Sequence, residues 1–357
     1  MTKRIQVLDC TLRDGGLGLE DANINKLTSI SFSEKDYNQA ICCLRDSNLD
    51  IVELGSIEIS VEDKTRFGIY QNVEAISQKI PAEPNKNQLY VALYRGPDTP
   101  LEDIPKWHPG LVEGLRVIIR YSELKKSLDF CAALSEKGYK VFVQPMLTMR
   151  YTDEELDLII REANRMNAYA LYFVDSYGYM QPQDIERFVT KYDTRLSPNI
   201  RIGFHAHNNM NLAYSNVLSF MRSKTDRDLI VDACAIGMGQ GAGNLQTELI
   251  VPYLNQQGYQ YNYSAVLDLC EIIETYSPKS IWGYSVTRLL PALYKTAYKF
   301  SIVLRNTYGL SFSQINQILR DMPNDLRHRY SAENMQILLK SIHIKECSSH
   351  AKGATKL

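Results

Sequence analysis

Eight short apolar, β-branched runs recur along the chain, at Arg4–Leu8, Asp50–Leu54, Gln88–Leu93, Leu115–Ile119, Lys140–Val143, Ala170–Val174, Ile200–Phe204 and Leu229–Cys234. Helix-like stretches follow most of them: Ser33–Asn48, Tyr121–Lys137, Thr152–Asn167, Gln181–Lys191, Asn209–Ser223 and Gly243–Gln256. The first of these opens with Ser-x-x-Asp, the second carries Leu124, Leu128, Cys131 and Leu134 on one face, and Pro182 suits a first helical turn. Strands alternating with helices at this spacing require a parallel sheet, and eight repeats predict an α/β fold closed as a (β/α)8 TIM barrel. An open doubly wound sheet would call for Gly-x-Gly-x-x-Gly after the first strand. The chain instead reads Leu12-Arg13-Asp14-Gly15-Gly16 there, taken as a glycine turn.

The third repeat is the least regular, since Pro97, Pro100, Pro105 and Pro109 leave room for only a short helix, and Ser56–Tyr70 reads as a long polar loop. From about Tyr263 the strand rhythm gives way to helices at Ser264–Tyr276, Leu289–Tyr308, Ser313–Asp321 and Ala332–Ile344. The expected organisation is a barrel over residues 1–262, a helical extension over 263–346 packed on it, and a flexible polar tail over 347–357.

Charge narrows the partners. Forty Lys and Arg against 41 Asp and Glu give a net charge of -1, which offers no footprint for nucleic acid or an anionic membrane. The chain opens without an apolar signal region and has no apolar run long enough to span a bilayer, so a cytoplasmic protein with a small-molecule partner is expected. Its seven cysteines lack Cys-x-x-Cys spacing and read as reduced thiols filling small apolar spaces.

In a (β/α)8 barrel the strand carboxyl ends converge on one face. His205 and His207 close the seventh strand, two residues apart and so directed to one side, and Asp14 follows the first strand, with only the eighth between. Two imidazoles and a carboxylate suit Mn2+, Mg2+, Zn2+ or Fe2+. Alone, Asp14 would more simply hold a glycine turn. Arg13 beside an ion would meet a substrate oxyanion, or pair with Glu53 at the end of the second strand. Asn244, after Gly237-Met238-Gly239-Gln240-Gly241-Ala242-Gly243, either caps the next helix or directs its amide oxygen to the metal. Arg95 and Arg120, ending the third and fourth strands, are candidates for binding a second carboxylate or a phosphate. Gln144 and Asp175 complete the strand-end candidates for substrate binding.

Three motifs carry a resemblance: Asp9-Cys10-Thr11-Leu12-Arg13-Asp14-Gly15, Gly203-Phe204-His205-Ala206-His207-Asn208-Asn209, and Val231-Asp232-Ala233 running on to the glycine loop ending at Asn244. With Tyr172-Phe173-Val174-Asp175-Ser176-Tyr177-Gly178-Tyr179-Met180 they resemble the metal-dependent lyase and aldolase superfamily that includes HMG-CoA lyase, isopropylmalate synthase and 4-hydroxy-2-oxovalerate aldolase. The last is the most similar. The resemblance implies a divalent ion, commonly Mn2+ or Mg2+ with Zn2+ as an alternative, held by Asp14, His205, His207 and Asn244, with His205 counted among the catalytic residues. It implies Arg13 as the group that stabilises an enolate. It also implies Ser176 and backbone amides near Gly15 and Gly16 as binders of the substrate carboxylate. The implied reaction joins or cleaves a 4-hydroxy-2-oxo acid through pyruvate enolate and an aldehyde. A homodimer and an acylating dehydrogenase partner are the assemblies implied.

The departures bear on mechanism. Oxovalerate aldolases carry a base histidine shortly after Arg-Asp-Gly, where this chain has Gly16-Leu17-Gly18-Leu19. The catalytic tyrosine of their helical extension is matched best by Tyr284. The loop cysteine of HMG-CoA lyases is replaced by Met238 and Gln240, and the Glu-Gln that follows Arg-Asp-Gly in the synthases is absent. An acyl-CoA lyase or synthase is therefore the second expectation, and a catalytically weak homologue that binds a 2-oxo acid or a partner protein the third.

Overall fold

In the computed structural model, residues 3–21, 31–59, 67–277 and 282–341 are described. Nine strands alternate with helices: β1 (Ile5–Asp9), β2 (Ile51–Ile57), β3 (Ile69–Tyr70), β4 (Leu89–Tyr94), β5 (Gly114–Ile119), β6 (Lys140–Pro145), β7 (Ala170–Asp175), β8 (Arg201–Ala206) and β9 (Leu229–Ala233). Every pairing between them is parallel, and β1 bonds both to β9 (Asp9 opposite Ala233) and to β2 (Asp9 opposite Val52). That double pairing closes the barrel predicted from the eight runs. The short β3, which pairs only with β2, stands outside the count. Residues 60–66 of the long loop after β2 lie outside the described residues, as do 342–344 of the last expected helix and the whole 347–357 tail.

The helices begin where their caps stand. Ser33 accepts from the amide of Asp36 to start α2 (Glu34–Asp46), after α1 (Thr11–Asp21), and Thr152 and Glu155 form a reciprocal capping box on α5 (Asp153–Arg165). Between these lie α3 (Val73–Ser77) and α4 (Leu124–Glu136). Pro182 is the first residue of α6 (Pro182–Arg195). It is followed by α7 (Ala213–Met221) and α8 (Thr247–Gln256). The proline-rich third repeat contributes a single 3-10 turn, Leu101–Asp103.

The expected glycine turn after β1 is instead the opening of α1. Asp9 accepts the Thr11 amide at 2.9 Å, Thr11 receives the Ala235 amide at 2.8 Å, and the Asp14 amide already bonds to the Cys10 carbonyl at 2.8 Å. Its glycines serve close packing: a Cβ at Gly15 would come within 2.5 Å of Met238 Sδ, and one at Gly18 within 2.7 Å of the Gly239 carbonyl.

The compact unit that contains the barrel runs to Gly283 rather than stopping at 262. The reason is α9 (Tyr263–Glu274), which packs against α2 and α8; Asn262 donates to the Asp46 carbonyl and caps α9. The second unit begins at Tyr284, whose side chain is 55% exposed. It holds α10 (Val286–Leu293), α11 (Tyr298–Asn306), α12 (Phe312–Asp321), α13 (Asn324–Arg327) and α14 (Ala332–Ser341). The single helix expected over Leu289–Tyr308 is two: Pro291 has no amide to donate within α10, which ends two residues later, and Lys295 turns into the left-handed region at φ 54°. Leu290, Phe300, Leu304, Ile315, Leu319 and Leu338 form the core of that unit.

Candidate active site

Strand ends and the first turn of α1 bring the predicted ligands together. One ligand atom from each of Asp14, His205 and His207 lies within 4.8 Å of the others. His205 Nδ1 faces Asp232 Oδ2 at 2.9 Å while its Nε2 stands 3.5 Å from Asp14 Oδ2. His207 Nδ1 is 2.9 Å from the Asp175 carbonyl oxygen. With each Nδ1 committed to an oxygen acceptor, each Nε2 is the nitrogen left to offer a lone pair to an ion, that of His205 once its proton is displaced, the arrangement that carboxylate and carbonyl partners impose on metal-binding histidines.

Asn244 does not cap α8, which starts three residues later behind Gln246. Its backbone is instead bridged to His207, with Asn208 donating to the Gly243 carbonyl at 2.8 Å. Its side-chain amide nitrogen donates to Asp14 Oδ2 at 2.6 Å and to the Met238 carbonyl at 3.0 Å. Its Oδ1 is buried with no partner. A buried carbonyl oxygen left unpaired is costly, and the amide that carries it is held against Asp14 through its nitrogen. These residues fit a divalent ion: Asp14, His205 and His207 gather three oxygen or nitrogen donors at one point, and Asn244, bonded to Asp14, carries an amide oxygen with no other partner. The glycine loop makes this geometry sterically accessible, since a Cβ on Gly239 would collide with the Asn244 amide.

Behind the ligands runs a closed circuit of buried charges. Arg13 bonds Asp14 at 2.8 Å and Glu53 at 2.8 Å; Arg116 bonds Glu53 at 2.7 Å and also Asp232; Asp232 holds His205, which returns to Asp14. Arg116 is fully buried. Gln144, with its amide oxygen turned inward, accepts from Arg116 Nε and Nη2 at 2.7 and 2.6 Å, and the Tyr172 hydroxyl donates to Asp232 at 3.0 Å. Thus Arg13 pairs with Glu53, as one of the two sequence readings expected, while still bordering the ligand set.

The electrostatics follow from burial and these pairs. Burial alone would raise the Asp14 carboxyl, but Arg13 and His205 hold it well below the usual range. Burial would likewise depress His205, but Asp14 and Asp232 keep its imidazolium well above the ordinary value. Burial and the neighbouring His205 push His207 down to about 4. Burial pushes Asp175 up to about 7, against the amides of Tyr179 and Met180 that its carboxylate accepts at 2.9 and 3.0 Å.

The remaining candidates are placed differently. Gly15 and Gly16 lie inside α1, where amides bond to carbonyls four residues back, so they are not available to a substrate carboxylate as the turn reading required. Asp175 reaches the ligand set through its backbone carbonyl, its carboxylate being occupied in its own turn. Ser176 Oγ accepts the Leu147 amide at 2.8 Å. Arg95 is tied to Glu58 at 2.8 Å, and Arg120 to Asp98, Glu123 and the Arg95 carbonyl.

Sequence reasoning passed over Arg116 and quoted Asp232 only within a motif, without a role, although a lone arginine inside Gly114–Ile119 and a lone aspartate inside Leu229–Ala233 were the available signals. It also treated Cys10 and Cys234 as filler, whereas their sulfurs are 3.2 Å apart beside Asp14.

Residues 118–277 match the HMGL-like family. A 4-hydroxy-2-oxovalerate aldolase of Chloroflexus aggregans is 36% identical over 274 residues, covering 72% of this chain and 71% of the relative. Another, from Geobacillus genomosp. 3, is 26% identical over 76% of this chain and 75% of its own length. An oxaloacetate decarboxylase of Mycobacterium tuberculosis is 28% identical over 160 residues, 45% of either protein. Among solved structures, the N-terminal domain of a putative aldolase from Bacteroides vulgatus superimposes with a TM-score of 0.72 at 22% identity, over 87% of this chain and 99% of that domain. A Bacillus subtilis HMG-CoA lyase does so with a TM-score of 0.60 at 17% identity, over 78% and 95%. Both share the fold.

Proposed function

Because the chain belongs to the HMGL-like family of TIM-barrel lyases and aldolases, we propose that it is a divalent-metal-dependent aldolase that makes or cleaves the carbon–carbon bond of a 4-hydroxy-2-oxo acid through a pyruvate-type enolate. Asp14, His205, His207 and Asn244 would hold the ion. The observation that carries this reading is the gathering of ligand atoms from Asp14, His205 and His207 within 4.8 Å of one another, with the Asn244 amide bonded to Asp14 and its Oδ1 unpartnered. A bound divalent ion supplies Lewis-acid polarisation and a template for a chelating 2-oxo acid, with Mn2+ or Mg2+ the ions that the family resemblance suggests.

The chain's own residues do the rest. Asp232 and the Asp175 carbonyl orient the two imidazoles and fix their tautomers. Arg13, anchored on Asp14 and Glu53, stabilises negative charge that develops on the substrate's keto oxygen. Glu53 Oε1 is a second buried acceptor without a partner, and we assign it to a hydrogen-bond donor of the substrate.

The test is exchange of pyruvate methyl protons with deuterated water, followed by NMR, using chelator-treated protein and Asp14→Asn as controls. Exchange that requires both the ion and Asp14 is the expected result; no exchange in protein that retains Mn2+ would overturn the pyruvate-enolate reading. A second reading, decarboxylation of a 2-oxo diacid at the same site, is favoured by Gly16-Leu17-Gly18-Leu19, which offers no histidine to take a hydroxyl proton. Loss of carbon dioxide requires no such base. Oxaloacetate consumption without any aldehyde-dependent condensation would select it.

A further inference from the structure

Cys10 and Cys234 directly follow β1 and β9, whose register sets Asp9 opposite Ala233, so the two cysteines face each other across adjacent strands. The Cys10 amide donates to the Ala233 carbonyl at 2.9 Å, which keeps the backbones at hydrogen-bonded strand spacing. That spacing, about 4.7–4.9 Å, falls within the roughly 4.4–6.8 Å between Cα atoms that a disulfide spans. The sulfurs are 3.2 Å apart and fully buried. Side-chain rotation alone can bring them to bonding distance.

The pair also touches the ligand set. Both sulfurs lie within 4.8 Å of an Asp14 carboxylate oxygen. Cys234 Sγ accepts from Asn244 Nδ2 at 3.4 Å, and that same nitrogen positions Asp14 Oδ2 at 2.6 Å. Drawing Cys234 toward β1 takes an acceptor from the Asn244 amide and moves two ligands at once.

We propose that Cys10 and Cys234 form a reversible disulfide that weakens divalent-ion binding at Asp14 and Asn244, an inference that rests on the metal reading of the site. With hydrogen peroxide as oxidant, one thiolate attacks a peroxide oxygen; the O–O bond breaks, water leaves and a sulfenic acid remains. The second sulfur then attacks the first, forming the S–S bond, breaking the S–O bond and releasing a second water. Two thiols lose two electrons and two hydrogens, and one peroxide becomes two waters. A dithiol reductant reverses the change by exchange.

The full chain is reduced, stripped of metal and treated with stoichiometric peroxide. Peptides are then mapped by mass spectrometry without reduction, and Mn2+ binding is followed by the EPR signal of the free ion. The expected result is a linked pair of peptides containing Cys10 and Cys234, and Mn2+ affinity lowered at least about tenfold, the scale seen when a ligand's supporting partner is lost. Dithiothreitol should restore both. Ala and Ser variants at each cysteine are run side by side, so that a folding defect in one does not decide the outcome; each should lose the linked peptide and the peroxide effect. Oxidation confined to the exposed Cys42, or a linked peptide with unchanged Mn2+ affinity, would overturn the proposal. Reduced protein that fails to bind Mn2+ would overturn the metal reading and the claimed effect on binding, while the peptide map decides the disulfide separately.

Discussion

The barrel lumen and the core of the second unit both exclude water, with opposite chemistry. The lumen buries Arg13, Asp14, Glu53, Arg116, His205 and Asp232 in one ion-paired circuit. The second unit packs Leu290, Phe300, Leu304, Ile315 and Leu319, and among its described residues the buried polar side chains are only the hydroxyls of Thr296 and Ser301. Apolar side chains of equal volume usually stabilise a fold as well as a buried ion pair or better. The second unit follows that rule, and the lumen gives up the advantage to hold charges in fixed directions.

The contrast can be broken first at Arg116. Arg116→Met removes the cation shared by Glu53 and Asp232, leaving them only Arg13 and His205, and should lower stability by about 3–5 kcal/mol in urea unfolding; a loss below about 1 kcal/mol would show that the circuit is not coupled. Phe300→Ala, from the apolar core, should cost a comparable ~3–5 kcal/mol while leaving Mn2+ affinity unchanged, and altered affinity would contradict the division of labour. Asp232→Asn keeps the volume but weakens the hold on His205, and should reduce Mn2+ affinity about 10–100-fold in a calorimetric titration. The free site keeps a proton on His205, between Asp14 and Asp232, that the ion must displace. Affinity should therefore rise with pH, by up to about tenfold per unit while His205 stays protonated in the free protein. Flat affinity would mean that His205 is neutral before the ion arrives. The smallest effect is expected at Arg120→Gln, whose partners Asp98 and Glu123 are solvent-facing; its melting should change by about 1 kcal/mol or less.

Much of the barrel was legible because β-branched runs and capping residues report local structure, and Ser33, Thr152 and Pro182 started helices as their chemistry requires. The candidate ligands were legible because His205 and His207 stand two residues apart at a strand end and Asp14 belongs to a motif. Other features depend on tertiary partners. Gly15 and Gly16 suggest a turn in sequence, yet Gly15, and Gly18 beyond it, are small because Met238 and Gly239 press on them. Arg116 and Asp232 are separated by 116 positions, so only closure of the barrel makes them a pair. Lys295 gives no sequence sign that it will adopt a positive φ and divide a helix.

The contact between α1 and the loop after β9 also tells a protein engineer where not to look. An added methyl on Gly18 meets the Gly239 carbonyl, and one on Gly239 meets the Asn244 amide, so variation there is punished before any new substrate is tried. Libraries aimed at substrate choice belong at exposed strand-end positions, such as the half-exposed Met146 after β6 and the surface-paired Arg95 after β4. Tightness at that corner fixes the centre, so a redesign should change side chains that already meet solvent.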